Sequence, residues 1–318
     1  MIGTRSTGGQ APPLSHGSDM SSASKLNSNV LAIFACLLWS TAFVGIKIGL
    51  EHTSPLNFAG LRFFLAGLLV LPFAGSPAKT LTIARKNPLF VLKVALFSTA
   101  LVYALFYLGI SMGSASTTAI VVGAGPLFVA IMAHLILPDE RLTFRKGASL
   151  AVGLSGIVLI ASSRYAPSDG SRVEFRAILL LLGCNLSGGY ANILVASAKR
   201  DIPPLALSAL QLIAGGLMLF ALSLLVEPID FGPKPPAYYG ALVYLSLLSA
   251  AAMTLWFVVL KRDKVKVSEI NLWKFTIPVV GAILSWTILQ HDHPDRSQLI
   301  GMGAIAGALI LMYARPRR

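Results

Sequence analysis

Lys274 stands inside an apolar run, Ser268 to Pro278 (SEINLWKFTIP), with a proline four residues after it. An ionised lysine at the centre of a membrane helix costs about 2.5 to 3.5 kcal/mol on insertion scales, and Pro278 has no N–H to offer the Lys274 carbonyl. Such a pair persists only where protein or a water-filled cavity satisfies it. Asn271, Lys274 and Pro278 fall at i, i+3 and i+7, so an amide, an ammonium and a helix kink are expected on one cavity-facing side. That combination suits recognition of a small anion, a carboxylate above all; snorkelling of the lysine to the headgroups is the competing reading. A second stretch, Ser116 to Pro126 (STTAIVVGAGP), repeats the serine-to-proline spacing without the charge. There a kink at Pro126 would free the Val122 carbonyl.

The elements that must carry these residues are long and apolar. Of the 318 residues 55% are hydrophobic and 12% charged, against roughly 25% charged in soluble domains, which places the chain in a membrane. Apolar runs long enough to cross a bilayer as helices, at about 17 to 25 residues, number ten: Asn29–Leu50, Leu56–Gly75, Pro88–Ile110, Ala115–Leu137, Gly147–Ser163, Arg176–Ala198, Pro204–Val226, Ala237–Leu260, Val267–Leu289 and Leu299–Ala314. The net charge of +13 would suggest nucleic acid in a soluble protein, but topology accounts for it and no nucleic-acid partner is expected. With both termini cytoplasmic, 17 Lys and Arg fall in inner segments and 5 in outer loops, a positive-inside bias. Residues 1–27, rich in Gly, Ser and Pro, read as a disordered cytoplasmic tail and not a signal peptide. Cys36 and Cys184 fall inside spans and read as buried thiols.

Four basic residues remain within the spans: Lys47, Arg62, Lys93 and Lys274. Lys47 and Arg62 lie in the outer parts of theirs, where they either bracket an anion-attracting vestibule, with Gln211 as Arg62's counterpart, or snorkel outward. Lys93 is expected to snorkel at the inner end of the third run, and His134 to serve as a polar helix partner. Trp39 and Phe43 one turn apart, Tyr103 and Tyr107 one turn apart, Asn185, Asn192 and Trp256 make a candidate pocket lining, although each alone would suit plain packing. No Asp or Glu sits mid-span, and no GxxxxGK[ST], HExxH, GxSxG or His–carboxylate cluster occurs. A nucleotide-driven pump, an enzyme, a metal site and a cofactor are therefore not expected.

An internal repeat organises the chain. Pro55 to Val70 matches Pro204 to Leu219 at constant offset, pairing Pro55 with Pro204, Leu61 with Leu210, Arg62 with Gln211 and Gly67 with Gly216. Ser116 and Pro126 match Ser268 and Pro278, and Gly147 and Gly153 match Gly301 and Gly307. Two units, 28–164 and 175–314, would each hold five spans, an odd number, so the second enters the membrane from the opposite side. The pairs Gly303-xxx-Gly307 and Ser149-xxx-Gly153 would allow close helix approach within the bundle or between the subunits of a homodimer.

The segments LLWSTAFVGIKIGL, SPLNFAGLRFFLAGLLVLP and STTAIVVGAGPLFVAIMAHLILPDERLT resemble EamA-type members of the drug/metabolite transporter superfamily, and the resemblance runs from Asn29 to Ala314. It implies an all-α membrane protein of ten helices in two inverted five-helix repeats, with a central cavity lined by spans 1, 3, 4, 6, 8 and 9. The acidic turn Asp139-Glu140-Arg141 has no counterpart in His291-Asp292-His293-Pro294-Asp295, so a shared role for it in both halves is not expected. The function expected is a secondary transporter, an exporter, of a small carboxylate-bearing metabolite such as an amino acid. It would work by alternating access in a bacterial inner membrane, with H+ or Na+ as the coupling ion if one is used. A proton-coupled antiporter of drugs or organic amines is the alternative, and would need an acidic site. A membrane scaffold or lipid-handling protein without solute flux is the alternative of another class.

Overall fold

Backbone amides in lipid must find partners within their own segment, and the apolar runs answer with helices. The structure is a computed structural model that describes residues 27–112, 121–162, 172–198, 202–228, 232–262, 265–288 and 296–313. In chain order its helices are α1 (Ser28–Leu50), α2 (Pro55–Val70), α3 (Pro77–Lys86), α4 (Pro88–Ala95), α5 (Leu101–Met112), α6 (Gly125–Ile136), α7 (Phe144–Ser162), α8 (Arg172–Ala196), α9 (Pro204–Val226), α10 (Pro236–Leu260), α11 (Val267–Ile270), α12 (Thr276–Ile288) and α13 (Arg296–Tyr313). Among the described residues five helices are long and apolar enough to cross a membrane: Pro55–Ala74, Pro88–Ile110, Phe175–Ala196, Pro204–Val226 and Pro236–Leu260. Ser28–Ala42, Val121–Ile136 and Leu299–Tyr313 are shorter apolar helices. Proline opens α2, α3, α4, α9 and α10, where its missing N–H costs nothing. Residues 77–86, expected only as an inner segment, form α3, whose start is capped by the Ser76 hydroxyl on the Lys79 N–H at 3.3 Å.

Three interruptions shape the interior, and each is patched by a polar side chain. Between α4 and α5 the chain widens into a π-helical turn, Leu96–Ala100, where the Ser187 hydroxyl donates to the Phe97 carbonyl at 2.9 Å. Before α6 it breaks at Ala124, and the Asn185 amide donates to the Val121 carbonyl. Between α11 and α12 it tightens into a 3-10 turn, Asn271–Phe275, with the Thr276 hydroxyl on the Trp273 carbonyl at 2.7 Å. The kinks expected at the two prolines take a different form, because the helix stops before each of them. Pro126 stands in the first turn of α6 and Pro278 in the first turn of α12. The Lys274 carbonyl is not left open: the tighter turn brings the Thr276 N–H to both the Trp273 and Lys274 carbonyls. Ser116 lies outside the described residues.

Lipid supplies no hydrophobic drive between helices, so close van der Waals contact must hold them together. The packed pairs are α2 with α9, α7 with α13, α1 with α10 and α5 with α8. At the α2–α9 crossing the backbones touch. A Cβ on Gly216 would meet the Phe64 nitrogen at 2.4 Å, and one on Gly67 the Ile213 nitrogen at 2.6 Å. At the α7–α13 crossing a Cβ on Gly156 would meet the Gly301 carbonyl oxygen at 2.5 Å. Gly303 and Gly307, expected to mediate a close approach, sit on an exposed face, and a Cβ on either would find nothing within 4 Å. Gly216→Ala should therefore lower the thermal midpoint in detergent, since overpacking costs about 1 to 3 kcal/mol, whereas Gly240→Ala, with open space around it, should leave it unchanged. Equal midpoints for the two variants would show that the crossing is looser than it looks.

Candidate functional site

The 3-10 turn decides where Asn271 and Lys274 go. Asn271 is fully buried and Lys274 half-buried. The Lys274 ammonium lies 4.7 Å from the Trp256 ring centroid and 5.7 Å from that of Trp39, and the two indoles are 5.3 Å apart, tilted by 57°. A relay of amides fixes this bracket from behind. Trp256 Nε1 donates to Asn192 Oδ1 at 2.8 Å, Asn192 Nδ2 donates to Asn271 Oδ1 at 3.1 Å, and Asn271 Nδ2 donates to the Val267 carbonyl at 2.9 Å. Four segments thus converge: α1 with Trp39, α8 with Asn192, α10 with Trp256, and the turn itself. Two aromatic faces stabilise a cation by about 0.5 to 2 kcal/mol each without cancelling its charge. Among the described residues no carboxylate pairs with Lys274, so its three N–H donors are suited to an incoming anion.

A second layer surrounds Arg62. Its guanidinium carbon lies 4.3 Å from the Phe63 ring centroid and 5.4 Å from that of Tyr103, and the residue is 3% exposed. Such burial is unlike both a side chain extended to the headgroups and one lining an open vestibule. Gln211, its repeat counterpart, is fully buried and accepts from the Thr99 hydroxyl at 2.6 Å. Of the two tyrosines expected in the pocket lining, Tyr103 packs on Phe63 at 4.2 Å and carries the Arg62 guanidinium on its ring, and Tyr107 is 3% exposed and rests edge-on against Phe106. Asn185 lends its amide to the break before α6, which gives it a local structural partner. Phe43 and Lys47 lie on α1, and their side chains are outside the described part of the structure. Trp273 stacks on Tyr313 at 4.9 Å and donates to Asn29 Oδ1 at 3.1 Å. Lys93 is exposed, and His134 Nδ1 accepts from the Leu142 N–H at 3.3 Å, tying down the chain beyond α6.

Two carboxylates hold helix starts. Glu140, after α6, accepts from the Val267 N–H, from the Ser268 N–H at 3.1 Å and from the Ser268 hydroxyl, so it seats on the beginning of α11. Lys146 braces it, 3.7 Å from Glu140 and 3.4 Å from Glu269, and donates to Ser268 Oγ at 2.8 Å. Glu227, after α9, accepts from the Leu56 N–H at 2.9 Å and the Asn57 N–H at 3.0 Å, while the Ser54 hydroxyl donates to the Pro228 carbonyl at 2.7 Å. Helix α10 separates the two clasps: Glu227 precedes its start and α11 follows its end. At 25 residues it is about 37 Å long. An open cavity of about 600 Å³ beside Glu140, lined by Asp139, Arg141, Lys146, Lys266 and Glu269, includes none of the residues around Lys274.

The profile of the EamA-like transporter family matches residues 26–162 and again 175–314. The chain belongs to this family. An EamA-like transporter with these apolar helices is an integral membrane protein. It is similar to the Bacillus subtilis protein named "Uncharacterized transporter YoaV", at 25% identity over 88% of this chain and 92% of the relative. It is also similar to a Salmonella typhimurium protein named "Probable amino-acid metabolite efflux pump", at 26% identity over 89% and 91%. A solved crystal structure shares the fold with a TM-score of 0.77 at 19% identity, covering 92% of this chain and 98% of that one.

Within this transporter the residues that sequence reasoning passed over are Glu140, Lys146 and Glu227. The segment compared with the acidic turn, residues 291–295, lies outside the described residues, and a carboxylate at a different place in the repeat, Glu227, likewise holds a helix start. The signal was there in outline: an acid within a few residues of the end of an apolar run is placed to meet the free N–H groups of another helix start.

Proposed function

We propose that this EamA-like transporter exports a small solute bearing a carboxylate and an apolar part, an amino acid or related organic acid, and that the carboxylate binds Lys274. The observation that carries this is the Lys274 ammonium between Trp39 and Trp256 with no carboxylate paired to it among the described residues. Asn271 and Asn192 hold the bracket's geometry, and the indole faces suit the solute's apolar part. The name of the Salmonella relative agrees with the solute class and the direction.

Residues 28–164 and 175–314 would form two inverted five-span units, with both termini cytoplasmic and the bilayer a bacterial inner membrane. The helix pairs support this, because α1 against α10 and α5 against α8 each join the first span of one unit to the third of the other. Alternating access would then proceed by releasing one carboxylate clasp while the other holds, since each ties a helix start in one unit to a helix end in the other. The test uses purified protein in liposomes with a panel of radiolabelled amino acids, organic acids and organic amines, with and without proton and sodium gradients. Flux of a carboxylate solute, competed by other carboxylates and not by amines, is expected. Flux of amines alone would replace this reading with an amine antiporter, and no flux of any solute would remove the transport step.

A further inference from the structure

Arg62 is a second cation buried in a span, and the Lys274 pocket does not use it. Two of its nitrogens, Nε and Nη1, are buried and have no hydrogen-bond acceptor. The Tyr107 hydroxyl, one turn beyond the Tyr103 ring on which Arg62 rests, is likewise buried and without a partner. Donors therefore accumulate here while acceptors are already taken. The Thr99 hydroxyl is committed to Gln211, whose own Nε2 lacks an acceptor, and Glu227 at the mouth of α2 is committed to the Leu56 and Asn57 N–H groups. Among the described residues no carboxylate pairs with Arg62.

Arginine does not lose its proton in a protein, so it cannot escape burial by becoming neutral. The Phe63 and Tyr103 faces return part of the lost hydration through cation–π attraction, but a ring face accepts no strong N–H bond and contributes no negative charge. What completes the site is a group with one negative charge, small enough for a closed interior, with lone pairs for Arg62 and Tyr107.

We propose that Arg62, with the Tyr107 hydroxyl, forms a second anion-binding position in the bundle, separate from Lys274, that takes one small monovalent anion: an inorganic halide or the carboxylate of a solute. The Gln211 side of the repeat has the same unfilled donor without the charge, so the site belongs to one half only. The position does not depend on which solute the Lys274 pocket takes, and it fails or stands separately from that reading.

The test follows thermal unfolding of the purified full-length protein at constant ionic strength while sodium isethionate, a bulky sulfonate, is replaced by sodium chloride or sodium acetate. A saturable rise in the midpoint is expected with at least one of the two small anions. Its half-saturating concentration should increase about tenfold or more in Arg62→Gln, which installs the residue found at the repeat counterpart, and roughly threefold to tenfold in Tyr107→Phe, in line with charged and neutral hydrogen-bond contributions. Lys274→Met should leave it unchanged. A chloride response alone identifies a halide site, an acetate response alone a carboxylate site, and both together a site for any small monovalent anion. Identical midpoints in all three salts would overturn the proposal. So would a response that survives both Tyr107→Phe and Arg62→Gln, or one that disappears in Lys274→Met. Should Arg62→Gln fail to fold, Tyr107→Phe still decides.

Discussion

Lys274→Met should abolish carboxylate flux in proteoliposomes while leaving the protein folded. Truncating one partner of a desolvated charge pair costs about 2 to 5 kcal/mol, roughly thirtyfold to several thousandfold in affinity. Here the other partner is the solute, so the whole loss falls on binding. Methionine keeps the length and flexibility of the side chain and still fills the space between Trp39 and Trp256. It also removes an ammonium from a membrane helix, which relieves an insertion cost of about 2.5 to 3.5 kcal/mol. The thermal midpoint should therefore stay level or rise as transport disappears, and that opposition separates a lost binding group from a damaged fold. Unchanged flux with Met at this position would eliminate Lys274 as the carboxylate site.

The second large effect is on stability. Glu140→Ala removes the acceptor for the Val267 and Ser268 N–H groups and for the Ser268 hydroxyl, and takes away one of the two carboxylates beside Lys146. The Glu140 and Lys146 side chains are each 6% exposed, so water cannot easily take over. Breaking a buried pair from one side costs about 3 to 5 kcal/mol. Lys146 retains Glu269 at 3.4 Å and Ser268 Oγ at 2.8 Å, which favours the lower part of that range. Glu140→Gln keeps an acceptor oxygen and the shape, and should lose clearly less. Thermal unfolding in detergent distinguishes the two, and an Ala variant as stable as the parent would mean that the start of α11 is held by something else.

How much of this was readable beforehand depends on the range of each interaction. The membrane class and the helices follow from composition and run length, because lipid leaves the backbone no alternative to internal hydrogen bonding. Lys274 and Asn271 were identifiable because a charge and an amide in an apolar run need an explanation within that run. The kinks at Pro126 and Pro278 were located correctly but given the wrong form. A proline forbids one hydrogen bond, yet whether the helix bends or stops depends on distant patches such as Asn185 on the Val121 carbonyl. The Arg62 contact of Tyr103 was not legible for a related reason: one-turn spacing puts Tyr103 and Tyr107 on the same face of α5, but only the packing of α2 decides that the Tyr103 ring meets Arg62. Glu140 and Glu227 act on helix starts more than a hundred residues away in sequence, 127 and 170 residues for the nearest amides, and local pattern can mark such an acid as a candidate without naming its partner.

The two carboxylate clasps use similar acids in different surroundings. Glu227 rests on amide hydrogens alone, and among the described residues no cation pairs with it, whereas the Glu140 end adds Lys146 and the half-open pair Lys266–Glu269, whose lysine side chain is 52% exposed. Dissolved electrolyte weakens exposed ion pairs far more than buried charge–amide contacts. A rise in salinity therefore bears unequally on the two clasps, loosening the surroundings of Glu140 before those of Glu227.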